Sequence, residues 1–258
     1  MLVSEVMLQQ TQVARVIPKW EAFIARFPDT ATCAAAPLGD VLREWQGLGY
    51  PRRARNLHAT AQRITELGRF PSDLEGLLTL PGIGPYTARA VMAFAFELDA
   101  AVADTNIARV YARVAGRRLT ARQLQAMADD ALPAGDAWTW NQCLMDLGAV
   151  LCRPANPGCH ECPLVARCAW SVSRRTDSEQ IGDPAIGSSG VSGKQGRFDG
   201  SDRQARGRLM RALGRGTVRR CDIAGVMQRD HATAARLLAD LVDEGLCQAV
   251  GDSIRLPA

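Results

Sequence analysis

Cys152, Cys159, Cys162 and Cys168 stand in the order C-x6-C-x2-C-x5-C, confined to residues 152–168 of a 258-residue chain. Pro154, Pro157, Gly158 and Pro163 bend the backbone between them, so four thiolates share one loop that can close on a single metal centre. Structural zinc usually takes two short C-x2-C knuckles separated by a longer stretch, and only Cys159 and Cys162 form such a knuckle here. The spacing favours a 4Fe-4S cluster; zinc, or buried or disulfide-bonded cysteines unrelated to a metal, are the alternatives. Cys33, Cys143, Cys221 and Cys247 lie outside the motif and read as small buried hydrophobes.

A second pattern is Leu80-Pro81-Gly82-Ile83-Gly84, followed by Pro85-Tyr86-Thr87-Ala88. Glycine accepts a left-handed turn, Pro85 loses nothing at a helix start where an N–H would have no partner, and Ile83 can plug the hairpin. Amides left open at that helix start suit a phosphate. This is the form of a helix-hairpin-helix, which grips one DNA strand without reading bases, with or without a bridging monovalent or divalent cation. An ordinary turn between helices is the alternative. Asp104, in Val102-Ala103-Asp104-Thr105-Asn106, precedes a helix beginning at Ile107 and by position alone is an N-cap. Glu5, by position alone, is an exposed residue near a chain end.

Helices must position these residues. Val3 to Ile17, Arg53 to Leu67, Tyr86 to Glu97 and Trp138 to Leu151 repeat apolar residues at helical spacing, so the chain up to the cysteines is expected to be all-α. The expected domains are 1–102, carrying the hairpin motif, and 103–170, carrying the cysteines. Residues 171–200 are polar and rich in Gly and Ser, the composition of a disordered linker. Beyond it, Arg206 to Leu213, Cys221 to Gln228 and Ala232 to Glu244 read as helices and Leu246 to Leu256 as a hairpin around Gly251. Residues 201–258 are thus expected to form a small winged-helix-like module.

A hydrophobic content of 47% is enough for a substantial core. No uncharged apolar run approaches the roughly twenty residues of a membrane-spanning helix, and no basic region followed by an apolar run opens the chain. Membrane and secretory readings fall away, and a reducing cytoplasm suits the cysteines. The net charge of +4 says little about nucleic acid, but Arg197 to Arg220 holds eight arginines against two aspartates. Arg52, Arg53 and Arg55 cluster after a Gly-rich turn.

Hairpin motif, downstream aspartate and cysteine loop together resemble the DNA glycosylases of the endonuclease III, helix-hairpin-helix superfamily, over roughly residues 1–170. Within it, SEVMLQQTQVARVIP (Ser4 to Pro18), GLGYPRRARNLH (Gly47 to His58) and NQCLMDLGAVLC (Asn141 to Cys152) resemble the MutY-type adenine glycosylases. FDGSDRQARGRL (Phe198 to Leu209) resembles the compact tail of their actinobacterial members.

The resemblance implies base-excision repair on double-stranded DNA, with adenine removed opposite 8-oxoguanine or guanine. Glu5 matches the family's catalytic glutamate, which protonates adenine at N7 and needs a carboxyl whose pKa burial has raised. Asp104 matches the aspartate that stays ionised and stabilises the sugar's oxocarbenium character. Tyr86 stands where bifunctional relatives place a Schiff-base lysine; a phenol forms no imine, so hydrolysis without lyase chemistry is expected. Gln142 resembles the residue that contacts the flipped adenine, and Asn106 a site-supporting amide. Gln9, Gln10 and Tyr50 match positions that enter the helix, Tyr50 beside 8-oxoguanine, with a core role for Tyr50 as the alternative. Arg52, Arg53 and Arg55 are expected on phosphates or on a solvated basic face, and Gly82, Gly84 and Thr87 at the hairpin's DNA contact.

The sequence also departs from the family. Pro51 replaces a second aromatic. The family carries a helix and a pocket-lining segment ahead of the Ser-Glu motif, and with Met1 so close to it the expectation is a shortened N-terminus and an incomplete adenine pocket. No Nudix-like C-terminal domain is expected. Two alternatives stand beside the adenine reading: a mismatch-specific thymine glycosylase, and a DNA-binding relative whose catalysis is impaired. A monomer, cytoplasmic and nucleoid-associated, completes the expectation.

Overall fold

A computed structural model describes residues 1–175, 182–191 and 196–258. In chain order its helices are α1 (Leu2–Leu8), α2 (Val13–Arg26), α3 (Thr30–Ala35), α4 (Leu38–Glu44), α5 (Arg52–Leu67), α6 (Leu74–Leu78), α7 (Pro85–Ala95), α8 (Thr105–Ala115), α9 (Ala121–Ala131), α10 (Ala137–Asp146) and α11 (Ala169–Ser173). A π turn, Leu147–Leu151, extends α10. The tail adds α12 (Asp202–Arg215), β1 (Val218–Arg219), α13 (Ile223–Met227), α14 (His231–Asp243), β2 (Gln248–Val250) and β3 (Ser253–Arg255). The elements form two compact units: a first of Leu2–Pro71, Gly76–Ile83 and Gly196–Ala258, and a second of Met1, Ser72–Glu75 and Gly84–Gln195. The units do not part at residue 102, because α7 belongs with the cysteine loop and the tail belongs with the N-terminal helices. No helix of the described residues is long and apolar enough to cross a membrane.

In the first unit, α3 lies along α5, whose Leu57, Ala61 and Ile64 repeat on one buried face. Phe23 packs on Phe27 at 5.0 Å and edge-on to Trp45 at 6.3 Å. The expected single helix from Val3 to Ile17 is two helices, because Gln10 adopts a left-handed φ of 55° between α1 and α2. The tail holds three helices and a terminal hairpin, with one further strand: β3 is central and antiparallel to both neighbours, with Val218 and Ala249 flanking Ile254. Leu209, Leu213, Met227, Leu237, Leu241, Leu246 and Ile254 are its largest fully buried side chains. This module is riveted to α4, since Gly39 N–H donates to Pro257 O at 2.9 Å and Gln46 Nε2 donates to Met210 O at 2.8 Å.

In the second unit, α8 is wrapped by α9, α10, α11 and the π turn, and is buried on nearly every side from Ile107 to Arg113. A left-handed Gly116 closes it. Part of the stretch expected as a disordered linker is packed instead. Asp183 pairs with Arg113 at 2.6 Å, Ala185 is buried, Leu119 N–H donates to Ser188 Oγ at 3.0 Å, and Ser189 N–H donates to Leu119 O at 2.9 Å. Polar bonds fix residues 182–191, which is why hydrophobic patterning misses them; the expectation for 176–181 and 192–195 lies outside the described residues. Of the cysteines outside the motif, Cys33 and Cys247 are buried as expected, whereas Cys143 and Cys221 are exposed, each on an outward helical face.

Two glycines test how the tail docks. A Cβ on Gly39 would stand 2.5 Å from Pro257 O, a backbone atom that cannot swing aside, whereas one on Gly207 within α12 would meet nothing within 4 Å. Gly39→Ala is expected to cost about 1–3 kcal/mol in urea unfolding, and Gly207→Ala to be neutral or to gain about 0.5–1 kcal/mol.

Candidate active site and cysteine loop

In the first unit, Glu5 sits half-buried in mid-α1 among the buried Leu2, Val6 and Met7. The carbonyls that end α1 converge on one guanidinium. Arg53 Nη1 donates to Val6 O (2.7 Å), Met7 O (3.2 Å) and Gln9 O (2.6 Å), while Nη2 donates to Leu48 O (3.1 Å), Gly49 O (3.2 Å) and Thr11 Oγ1 (3.3 Å). Its cation also faces the rings of Trp45 and Tyr50 at 5.4 and 5.5 Å. Burial pulls its pKa down to about 10. The expectation of a phosphate contact at Arg53 is therefore corrected: its donors are spent tying the Gln9–Thr11 turn to the loop of residues 47–50. A cation at the end of α1 also complements the helix dipole.

Tyr50 is exposed rather than in the core, and holds a left-handed φ of 48°. Arg203 Nη1, from the tail, donates to its Oη at 3.1 Å. Glu244 takes the neighbouring arginines: Arg52 Nη2 reaches its Oε1 at 2.6 Å, Arg55 donates to its main-chain oxygen, and Arg206 holds the other carboxylate oxygen. Arg52 and Arg55 thus both bond to Glu244, and the Arg52 side chain stays largely exposed. Gln9 is half-buried and Gln10 exposed. Gly82 has φ 77°, and a Cβ there would meet Asn56 at 2.6 Å. Gly84 starts α7 in extended conformation without a side-chain cap. The Thr87 side chain is buried.

In the second unit, Asp104 is the N-cap of α8 and the start of a relay of hydrogen bonds. Its Oδ1 accepts from Ile107 N–H at 2.7 Å and its Oδ2 from Asn106 Nδ2 at 3.0 Å. Asn106 Oδ1 accepts from Arg109 Nη2 at 2.9 Å, and the same guanidinium donates to Gly148 O (2.5 Å) and Cys152 O (2.6 Å). Burial raises the Asp104 pKa above its ordinary value, opposed by the Ile107 and Asn106 bonds and the Arg109 charge. Asn141 braces the backbone ahead of it, accepting from Val102 N–H and donating to Ala100 O, both at 2.9 Å. Gln142 lies beside Asn141 in sequence, but its amide is drawn to Asp146 Oδ1 at 3.0 Å. Tyr86, in the first turn of α7, packs against this unit's core.

Cys152, Cys159, Cys162 and Cys168 line one cavity, and none of the four is in a disulfide. Among the described residues, no three His, Cys, Asp or Glu gather tightly enough to hold one ion. Arg113 and Trp170 share the cavity wall. The Arg113 guanidinium lies 4.5 Å from the Trp170 ring and donates to Cys152 Sγ at 3.3 Å and Arg153 O at 2.8 Å. Desolvation disfavours that buried charge, and Asp183 and Cys152 outweigh it, raising the pKa overall.

Residues 3–141 match the family described as HhH-GPD superfamily base excision DNA repair protein. The chain belongs to this superfamily. It is 41% identical over 259 residues to the adenine DNA glycosylase of Mycolicibacterium smegmatis, covering 97% of this chain and 84% of that one. The adenine DNA glycosylase of Mycobacterium tuberculosis is 39% identical over 255 residues, covering 95% and 80%. A solved thermostable thymine-DNA glycosylase is 27% identical with a TM-score of 0.61, covering 66% of this chain and 82% of that one. A non-covalent endonuclease III–DNA complex shares the fold at 24% identity and a TM-score of 0.61, covering 67% and 84%.

Within this HhH-GPD chain, the sequence reading missed Arg109, Arg113, Asn141 and Gly148. Paired arginines one helical turn apart in an otherwise apolar helix were the available signal. Gly148 permits a close approach: a Cβ there would lie 2.6 Å from Asn106 Cβ and 2.8 Å from Asn106 O. Gly148→Ala is expected to displace Asn106 and slow the single-turnover chemical step by about 10-fold or more, with duplex affinity little changed. Stopped quench assays and filter binding read the two quantities separately.

Proposed function

We propose that this chain is an adenine DNA glycosylase of base-excision repair that hydrolyses the N-glycosidic bond of adenine opposite 8-oxoguanine or guanine. The observation that carries the reading is Asp104, a half-buried carboxylate at a helix start with both oxygens bonded. Such a group, held ionised, stabilises positive charge growing on a sugar without reorganising at the moment of reaction. Glu5 is the general acid, delivering a proton to the departing adenine. Tyr86 orders the site from α7 and offers no amine for a Schiff base, so water completes the reaction. The higher identity to adenine-specific relatives than to the thymine glycosylase supports adenine over thymine.

Tyr50, strained and exposed between Arg53 and Arg203, serves as the side chain that enters the duplex beside the opposite base. Gln9 and Gln10 flank the vacated position, and the open amides at the start of α7 take a phosphate, with or without a bridging cation. Gln142 supplies the adenine edge once its bond to Asp146 opens. The enzyme acts as a monomer in the nucleoid-bearing cytoplasm.

The cysteine set fits a 4Fe-4S cluster. Its donors are all sulfur and line a common cavity, and only Cys159 and Cys162 form the short knuckle that structural zinc uses twice. Cys152, Cys159, Cys162 and Cys168 would hold it, and when bound it would supply a rigid charged centre that pins the loop. Arg113 would then face the thiolate of Cys152.

The purified chain should release adenine from duplexes carrying A opposite 8-oxoguanine or G, and leave T opposite G untouched. It should leave no borohydride-trapped adduct, and Glu5→Gln should slow release by about 10²-fold or more while duplex binding persists. Release of thymine without adenine would sink the assignment. Elemental analysis should find iron and sulfide, and stoichiometric zinc without iron would overturn the cluster.

A further inference from the structure

Most arginines of the tail are spent internally. Arg203 holds Tyr50, Arg206 holds Glu244, Arg208 donates to Met227 O, Arg219 pairs with Asp222, and Arg236 pairs with Asp202. Arg211 and Arg215 differ: both are exposed, and neither has an ion pair among the described residues. They stand one turn apart on α12, on the same helical face. Both line an open groove with Arg43, Gln46, Gly47 and Gly214.

The groove is built to hold its shape. Gln46 Nε2 donates to Met210 O at 2.8 Å, and a Cβ on Gly214 would come within 2.6 Å of that same nitrogen, so α12 rests closely on the end of α4. Arg43 projects from α4 beside Asp40, at 2.5 Å, and Asp40 is shared with Arg26 at 3.4 Å. Lys19 adds a fourth cation at the Gly47 rim, its Nζ 3.5 Å from Glu44 O and its Cε 3.8 Å from a Cβ placed on Gly47. Gly47 opens the loop that ends in Tyr50. A groove with excess positive charge, fixed walls and no buried donor to single out a small ligand suits the regularly spaced phosphates of a nucleic-acid backbone.

We propose that the groove between α4 and α12 binds backbone phosphates of the duplex beside the mispair. The C-terminal module then adds grip without regard to base identity. This inference rests on the DNA-repair reading above, and two separate assays distinguish their failures.

The full chain and its Arg211→Ala/Arg215→Ala variant should be titrated with an undamaged duplex across a salt series. Two lost phosphate contacts should reduce the slope of log K against log salt by about 1.8, with weaker binding at low salt. Arg215→Glu should weaken binding further, whereas Arg63→Ala, on α5, should leave the slope alone. Thermal melting and adenine release at saturating enzyme should match the parent. A slope equal to the parent's in the double variant would overturn the groove. Failure of the parent to release adenine would instead overturn the enzymatic reading, whatever the slope.

Discussion

Two buried guanidiniums in one helix set most of the second unit. Arg109 and Arg113 are 4% and 1% exposed within the apolar body of α8, and stripping water from a charge costs several kcal/mol unless its donors are met. Every neighbouring segment is shaped to meet them. The π turn offers Gly148 O, the cysteine loop offers Cys152 O and Arg153 O, and the 182–191 strap offers Asp183. Trp170 lies against Arg113 on the remaining side. Because Arg109 also holds Asn106, which holds Asp104, one helix supports both the carboxylate and the cysteine loop. The cysteine loop and Asp104 therefore share one support, α8.

The first unit uses the same device. Arg53 gathers the last carbonyls of α1 and those of the 47–50 loop, so the position of Glu5 along α1 and the strained backbone of Tyr50 depend on one side chain. Glu244 does the converse, one carboxylate collecting Arg52 and Arg206 while its main chain receives Arg55. The tail is consequently bound to the start of α5, directly after the 47–50 loop. Arginine in this chain is first a structural residue, and only what is left uncompensated is available to DNA.

Much of this could be read before the structure. Apolar spacing located α5, α7 and the tail helices, and Gly251 marked the terminal hairpin. Asp104 stands at a helix start as its position in the sequence implies, and the bond that caps α8 is also one that favours an ionised carboxylate. The break at Gln10 was not legible, because the residue that captures the freed Gln9 carbonyl is Arg53, forty-four positions away. The strap of 182–191 was hidden for a related reason. Its hold is polar and its acceptor is a buried arginine, so low hydrophobicity mimicked disorder. Charge alone could not separate Arg53, which faces inward, from Arg211 and Arg215, which face out.

The account turns on Asp104 acting as an ionised carboxylate kept so by α8. Burial raises its pKa, and Asn106 and Ile107 pull it back down. Loss of a donor to the charged form makes protonation easier, so activity should fail at a higher pH. The decisive measurement is the single-turnover rate of adenine release against pH for the parent and for Asn106→Ala. The parent's acidic limb should lie above the ordinary aspartate value of about 3.9, and the variant's should lie higher still. Coincident acidic limbs in the two proteins would contradict the account.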